Sequence, residues 1–252
     1  MNVTELYRLL NERIPPSLSC EWDNDGLMCC PEPDRPARRV LVCLDATAAM
    51  VERAVDGNFD VVLTHHPLVF HKLPALEPGD PVAKKLIRLT RAGVAVMSFH
   101  TRLDAVEGGV NDALAARIGL TDVTPYGEGI GRIGTLPSPL PLAEFAAKVK
   151  KTLGAPALTV ADAGREVRRV AVLGGNGSDD VRATEETGAD TYLTGEIAHH
   201  HLTDAPERGM NLIAAGHFHT EDPVCEVLAG MVRAADPTAW VEIANSNAVR
   251  TY

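Results

Sequence analysis

Two imidazoles stand side by side in Thr64-His65-His66-Pro67. Two more stretches place histidine in a comparable setting: Ser98-Phe99-His100-Thr101-Arg102-Leu103-Asp104 and Ala215-Gly216-His217-Phe218-His219-Thr220-Glu221. Each follows a short apolar run that reads as a buried strand. Together they offer several imidazoles and two carboxylates, Asp104 and Glu221. Imidazole suits zinc, iron, nickel or manganese, and a carboxylate can bridge two ions. Two such ions held about 3.5–4 Å apart form a hydrolytic arrangement that activates water near neutral pH. The spacing is less specific than a motif such as H-E-x-x-H, so the signal lies in the recurrence of the setting.

The adjacent pair constrains the local structure. Side chains alternate faces along a strand, so neighbouring histidines inside one would point in opposite directions. Both can face one site only if the strand ends there, and Pro67, which donates no N–H, helps to end it. In open α/β sheets the carboxyl ends of the strands share one edge, where ligands bind. Stretches distant in sequence can therefore meet.

The elements that must do this positioning alternate along the chain. Strands are expected at Arg39 to Leu44, Asp60 to Leu63, Val94 to Phe99, Ala157 to Val160, Arg169 to Leu173, Asp190 to Leu193, Met210 to Ala214 and Trp240 to Ala244. Helical spacing marks Ala46 to Asp56, Pro81 to Ala92, Gly109 to Ile118, Leu142 to Leu153, Asp179 to Thr187, Ile197 to Asp204 and Pro223 to Ala234. Apolar strands separated by helices imply an α/β fold with largely parallel or mixed sheets. The Gly- and Pro-rich run Thr121 to Leu142 is the candidate crossing between two lobes. No sequence repeat is strong enough to assert a duplication. The loop Gly174-Gly175-Asn176-Gly177-Ser178-Asp179 is neither a Walker A sequence nor a complete G-x-G-x-x-G, and reads as a structural turn.

Composition narrows the function classes. The chain has 252 residues, 45% hydrophobic, with a formal net charge of −10. That acidity disfavours a nucleic-acid or anionic-membrane binder. Aromatics at 4% supply no extended stacking platform. No apolar run reaches the length of a membrane span, and the amino terminus reads as a short amphipathic helix. Five cysteines without a C-x-x-C read as reduced thiols, which points to the cytoplasm.

The stretches THHPLVF, SFHTRLDAVEGGVNDALAARIGL, VAVLGGNGSD, DTYLTGEIAHH and NLIAAGHFHTE, in this order and preceded by EWDNDGL, resemble the Nif-three-like family. Members of that family carry the names GTP cyclohydrolase 1 type 2 homologue and dinuclear-metal-centre hexameric protein. The resemblance runs from Glu21 to Glu221. It implies two interlinked α/β lobes, with residues 1–124 and 217–252 in the first and 125–216 in the second, and a metal site between them at strand carboxyl ends. It also implies a toroidal hexamer and two divalent ions per subunit, of Fe, Zn, Mn or Ni. The implied ligands are His65, His66, Asp104, His217 and Glu221. His100 matches the histidine of H-T-x-L-D and is placed beside the metals as a proton carrier or a supporting group. His200 matches the histidine ending T-G-D-I-x-x-H, as a supporting group or a helix-surface residue.

Three positions depart from the family pattern. His219 replaces a small residue, Arg102 replaces a common Asn and could add an anion contact, and Glu196 replaces Asp after T-G. The resulting expectation is a metal-dependent hydrolase acting on a small nucleotide-like substrate, with Arg102 or Lys72 meeting an anionic group. The alternative is a non-enzymatic ring protein that binds or delivers metal, or serves as a scaffold.

Overall fold

The computed structural model describes residues 1–250. They form two compact units, one built from Met1–Val106 and Val224–Val249 and the other from Glu107–Pro223. The first unit begins with α1 (Val3–Arg13), β1 (Gly26–Cys29), β2 (Arg39–Cys43), α2 (Ala48–Asp56), β3 (Val61–Thr64), α3 (Pro81–Ala92), β4 (Ala95–Ser98) and the short α4 (Thr101–Ala105). The second holds α5 (Val110–Ile118), β5 (Thr121–Tyr126), β6 (Gly131–Leu140), α6 (Leu142–Leu153), β7 (Thr159–Ala161), β8 (Val167–Asn176), α7 (Val181–Glu186), β9 (Thr191–Glu196), α8 (His199–Glu207), β10 (Asn211–Ala214) and α9 (His217–Glu221). The chain then returns to the first unit with α10 (Val224–Ala235) and β11 (Trp240–Ile243).

Local chemistry explains the element ends. Asn2 and Glu5 form a reciprocal capping box at the start of α1, which buries Val3, Leu6 and Leu10. Asp80 caps α3 ahead of Pro81, and Gly93 ends it in the left-handed region at φ 69°.

The first sheet has the order β1-β4-β3-β2-β11. All of its pairs are parallel except β1 with β4. Cys43 pairs with Thr64 and Thr64 with Ser98, so β2, β3 and β4 stop at one level. The second sheet has the order β5-β6-β8-β9-β10-β7. Its parallel centre is β8-β9-β10, with Thr194 of β9 opposite Leu173 on one side and Ala214 on the other. Phe59, Val62, Leu89 and Val96 anchor the first core, and Leu114, Phe145, Val170 and Ile213 the second.

The two units repeat one device. Arg38-Arg39-Val40 and Arg168-Arg169-Val170 open corresponding strands, while Asp60-Val61-Val62-Leu63-Thr64 and Asp190-Thr191-Tyr192-Leu193-Thr194 form the next. The Asp60 carboxylate accepts the backbone N–H groups of Arg38 and Arg39, both at 2.9 Å. The Asp190 carboxylate accepts those of Arg168 and Arg169, at 3.0 and 2.7 Å. Each aspartate's own backbone then continues the ladder: Asp60 N–H to Arg39 and Asp190 N–H to Arg169, with Asp60 and Asp190 carbonyls receiving Ala95 and Asn211. The repeat lies in hydrogen bonding and strand order more than in residue identity, so sequence comparison alone leaves it unasserted.

Two expectations need correction. Residues 121–142 are not a crossing between units: β5 and β6 form a hairpin within the second sheet. Pro125 lies on the edge strand β5, and Pro137 and Pro139 fall where the β6–β8 register is interrupted, positions at which a missing N–H does not break a ladder. The chain changes units at 106/107 and 223/224, so α5 and α9 belong to the second unit rather than the first. The physical reason for α5 is its apolar face, since Leu114, Ala115 and Ile118 pack with Val170, Val172 and Leu193.

Replacing Asp60 or Asp190 with alanine removes a charged acceptor from two backbone donors. Each substitution is expected to lower stability by about 2–4 kcal/mol. Urea unfolding together with hydrogen exchange of the adjacent strand amides checks this, and exchange rates unchanged in those strands would refute the locking role.

Candidate metal centre

The level ends of β2, β3 and β4 decide what the first unit presents. Beyond them lie Asp45, the pair His65 and His66, and His100. β3 ends at Thr64, so the alternation of a strand no longer governs the two adjacent histidines. The Thr64 hydroxyl donates to the His66 carbonyl at 2.8 Å and lies 2.8 Å from the Ser98 hydroxyl. The His66 N–H donates to the Leu44 carbonyl. These bonds turn the chain so that the His65 and His66 rings sit 4.9 Å apart, with His100 at 5.2 Å from the first and 5.7 Å from the second.

Each ring is held through Nδ1. His65 Nδ1–H donates to the Phe99 carbonyl at 2.9 Å. The Nδ1 atoms of His66 and His100 bond the carboxylates of Asp45, at 2.8 Å, and Asp23, at 2.9 Å. Engaging Nδ1 as the donor leaves Nε2 as the basic nitrogen, the arrangement found where histidine ligates a metal. Within this unit, one donor atom from each of His65, His66 and His100 lies within 4.8 Å of the others. His65 Nε2 is 3.7 Å from Asp104 Oδ1. Asp104 follows His100 by one turn of α4, which places both on one helix face.

The Asp23 side chain is fully buried. Burial would raise its carboxyl pKa, but hydrogen bonds from His100 and from the hydroxyl and N–H of Thr101 outweigh it, holding the carboxyl well below the usual range. The neighbouring Asp25 accepts the His100 N–H at 3.1 Å and Arg102 Nε at 2.8 Å.

The second unit presents a smaller set. His217 Nε2 lies 3.0 Å from Glu221 Oε2, one turn further along α9, and His217 Nδ1 lies 3.4 Å from Glu196 Oε1. The glycine-rich end of β8 makes room for Glu221. A Cβ on Gly175, whose φ is 70°, would overlap the Glu221 carboxylate, and one on Gly174 would come within 3.0 Å of Glu221 Cγ. Gly175 N–H also donates to the Thr220 hydroxyl at 3.1 Å. The turn that the sequence implied over residues 174–179 is only partly one: residues 174–176 continue β8 through a register shift against β9, and the chain turns after Asn176. The donor sets of both units are of the imidazole and carboxylate type that divalent transition ions take.

A profile of the family described as Duf34/NIF3 (NGG1p interacting factor 3) matches residues 1–250. This chain belongs to the Duf34/NIF3 family. A relative from Nostoc sp. named GTP cyclohydrolase 1 type 2 homolog is 37% identical over 217 residues, covering 83% of this chain and 82% of the relative. The Schizosaccharomyces pombe protein named Protein NIF3 homolog is 32% identical over 249 residues, covering 90% of this chain and 88% of its own. The crystal structure of Staphylococcus aureus protein SA1388 superposes with a TM-score of 0.91 at 23% identity, covering 100% of this chain and 99% of that one, and shows the same fold. Among the described residues no helix is long and apolar enough to cross a membrane.

The other residues singled out in the sequence have different surroundings. Arg102 is not an anion contact. It is buried, donates to Asp25, to Asn11 Oδ1 at 2.6 Å and to the Ile14 carbonyl at 3.0 Å, and lies over the Phe99 ring. Lys72 is exposed on the loop ahead of α3. His219 Nδ1–H donates to the Leu153 carbonyl at 3.3 Å, the end of α6. His200 is exposed on α8, its ring 3.9 Å from that of His201. Glu196 backs His217. Asp45 escaped sequence reasoning although the strand-end signal was present, since it stands two residues past β2.

Replacing Asp45 with alanine is expected to weaken zinc binding about 10–100-fold by releasing the His66 ring. Competition against a chromophoric chelator measures this, and unchanged affinity in the variant would show that this carboxylate does not orient His66. Gly175→Ala is expected to displace Glu221 and lower the thermal midpoint, read by calorimetry.

Proposed function

We propose that this chain holds two divalent transition-metal ions and acts as a metal-dependent hydrolase on a small nucleotide-like molecule. The ligands are His65, His66 and Asp104 of the first unit, with His217 and Glu221 of the second. The observation that carries the reading is the trio of imidazoles whose Nδ1 atoms are already engaged, which leaves Nε2 of each as the basic nitrogen. Bound divalent ions supply Lewis acidity and lower the pKa of water. The nucleotide-like substrate rests on the name GTP cyclohydrolase 1 type 2 homolog carried by relatives.

His100 is the proton carrier. The Asp23 carboxylate engages Nδ1 and so fixes the tautomer, which leaves Nε2 as the atom that takes a proton and returns it. Its backbone is held separately, through Asp25, so the ring's position does not depend on substrate. The chain assembles as a homohexameric ring, which sedimentation of the untagged protein tests.

Elemental analysis of protein purified without chelator is expected to find about two transition-metal ions per chain. His66→Ala and Glu221→Ala should each remove metal while circular dichroism stays unchanged. Metal content surviving both substitutions would refute the ligand assignment. No metal after anaerobic loading with Fe, Mn, Zn or Ni would refute the site. His100→Ala should keep the metal and reduce nucleotide hydrolysis about 10²–10⁴-fold; undiminished turnover would remove His100 from the reaction.

A further inference from the structure

Two large rings stand in solvent beside His100. Trp22 is 65% exposed and Phe70 41% exposed, in a chain with only 4% aromatic residues. Leaving them uncovered forgoes the burial that aromatic side chains otherwise contribute. Both sit on segments that carry the site: Trp22 precedes Asp23, the anchor of His100, and Phe70 lies four residues past His66. The two segments are joined, since the Asn24 side-chain amide donates to the Val69 carbonyl.

The three rings form a corner. The Trp22 and Phe70 centroids are 6.2 Å apart with planes at 69°, Trp22 and His100 6.2 Å apart at 78°, and Phe70 and His100 5.9 Å apart at 88°. The planes are nearly mutually perpendicular, so no two of the three rings are stacked face to face. A flat ring can then stack on one of them while meeting a second edge-to-face, the two geometries that aromatic pairs prefer. We propose that Trp22, Phe70 and His100 form a recognition corner for a planar heteroaromatic ring of the substrate. This deepens the hydrolase reading and rests on it, because the corner holds the ring against the proposed proton carrier. A protein partner fits less well. Two rings offer at most about 250 Å² each, whereas a stable protein interface needs roughly 1,000 Å² or more.

Fluorescence tests the corner directly. The chain has two tryptophans, and Trp240→Phe leaves Trp22 as the only indole. Trp240 lies over Arg39 on strand β11, outside the site, and phenylalanine preserves that contact. Guanosine 5′-monophosphate is titrated into this variant, with ribose 5-phosphate as the control that lacks a ring system. The metal content of the same sample is measured. Saturable quenching by the nucleotide and none by the sugar phosphate is expected. Phe70→Ala should weaken the nucleotide about tenfold. By calorimetry in the otherwise unaltered chain, Trp22→Ala should lose binding while Trp22→Phe keeps most of it. No quenching by the nucleotide in protein carrying two ions would overturn the corner and leave the metal site standing. Equal quenching by the sugar phosphate would overturn it too, as would an emission shift that follows protein concentration alone. Ring-specific quenching in protein that cannot be loaded with metal would instead sink the hydrolase reading and retain a ring-binding site.

Discussion

Cys43, Thr64 and Ser98 lie side by side across three parallel strands, and the placement of the residues just beyond them depends on that alignment. Had β3 run one residue further, His65 and His66 would alternate faces and only one could join His100. The alignment is enforced from the opposite end. The Asp60 carboxylate takes the N–H groups of Arg38 and Arg39 where β2 begins, while its own backbone N–H and carbonyl bond Arg39 of β2 and Ala95 of β4. One residue therefore sets the register of three strands, and Asp190 does the same in the second unit.

On this frame the donor atoms are selected by their outer partners. A carbonyl and two carboxylates engage Nδ1 of three imidazoles, and the choice of tautomer is set by which atoms can accept. The buried pair Arg102–Asp25 serves the same end. Ion pairs of this kind contribute little net stability, yet losing one partner leaves an uncompensated charge in the interior. Asp25 spends its second interaction on the His100 N–H, so the pair decides where α4 begins and hence where His100 and Asp104 stand.

The second unit solves its problem by subtraction. Glu221 occupies space that side chains on Gly174 and Gly175 would fill, and the positive φ of Gly175 falls where the β8–β9 register shifts beneath it. A glycine run that resembles a phosphate cradle is here a recess for a carboxylate. Glu196, one methylene longer than the family's usual aspartate, reaches His217 Nδ1.

The alternation of apolar strands and helices, the strand ends that carry His65, His66, His100 and His217, and the family resemblance were all legible in the residues, because period, capping and strand termination are local properties. Most elements of the α/β pattern could be read this way, whereas β1, the hairpin of β5 and β6, and the short helices α4 and α9 could not. The prolines and glycines of β5 and β6 read as linker, and only pairing with neighbours makes β1, β5 and β6 strands. The partners of the imidazoles were hidden for the same reason. Asp23 is 77 residues from His100 and Asp45 is 21 from His66, so no spacing rule links them. Arg102 shows the limit most plainly: its charge suggested an anion contact, and burial against Asp25, Asn11 and Phe99 made it a structural clasp. Residue type determined what chemistry was available; long-range packing decided which groups would face a ligand and which would hold them.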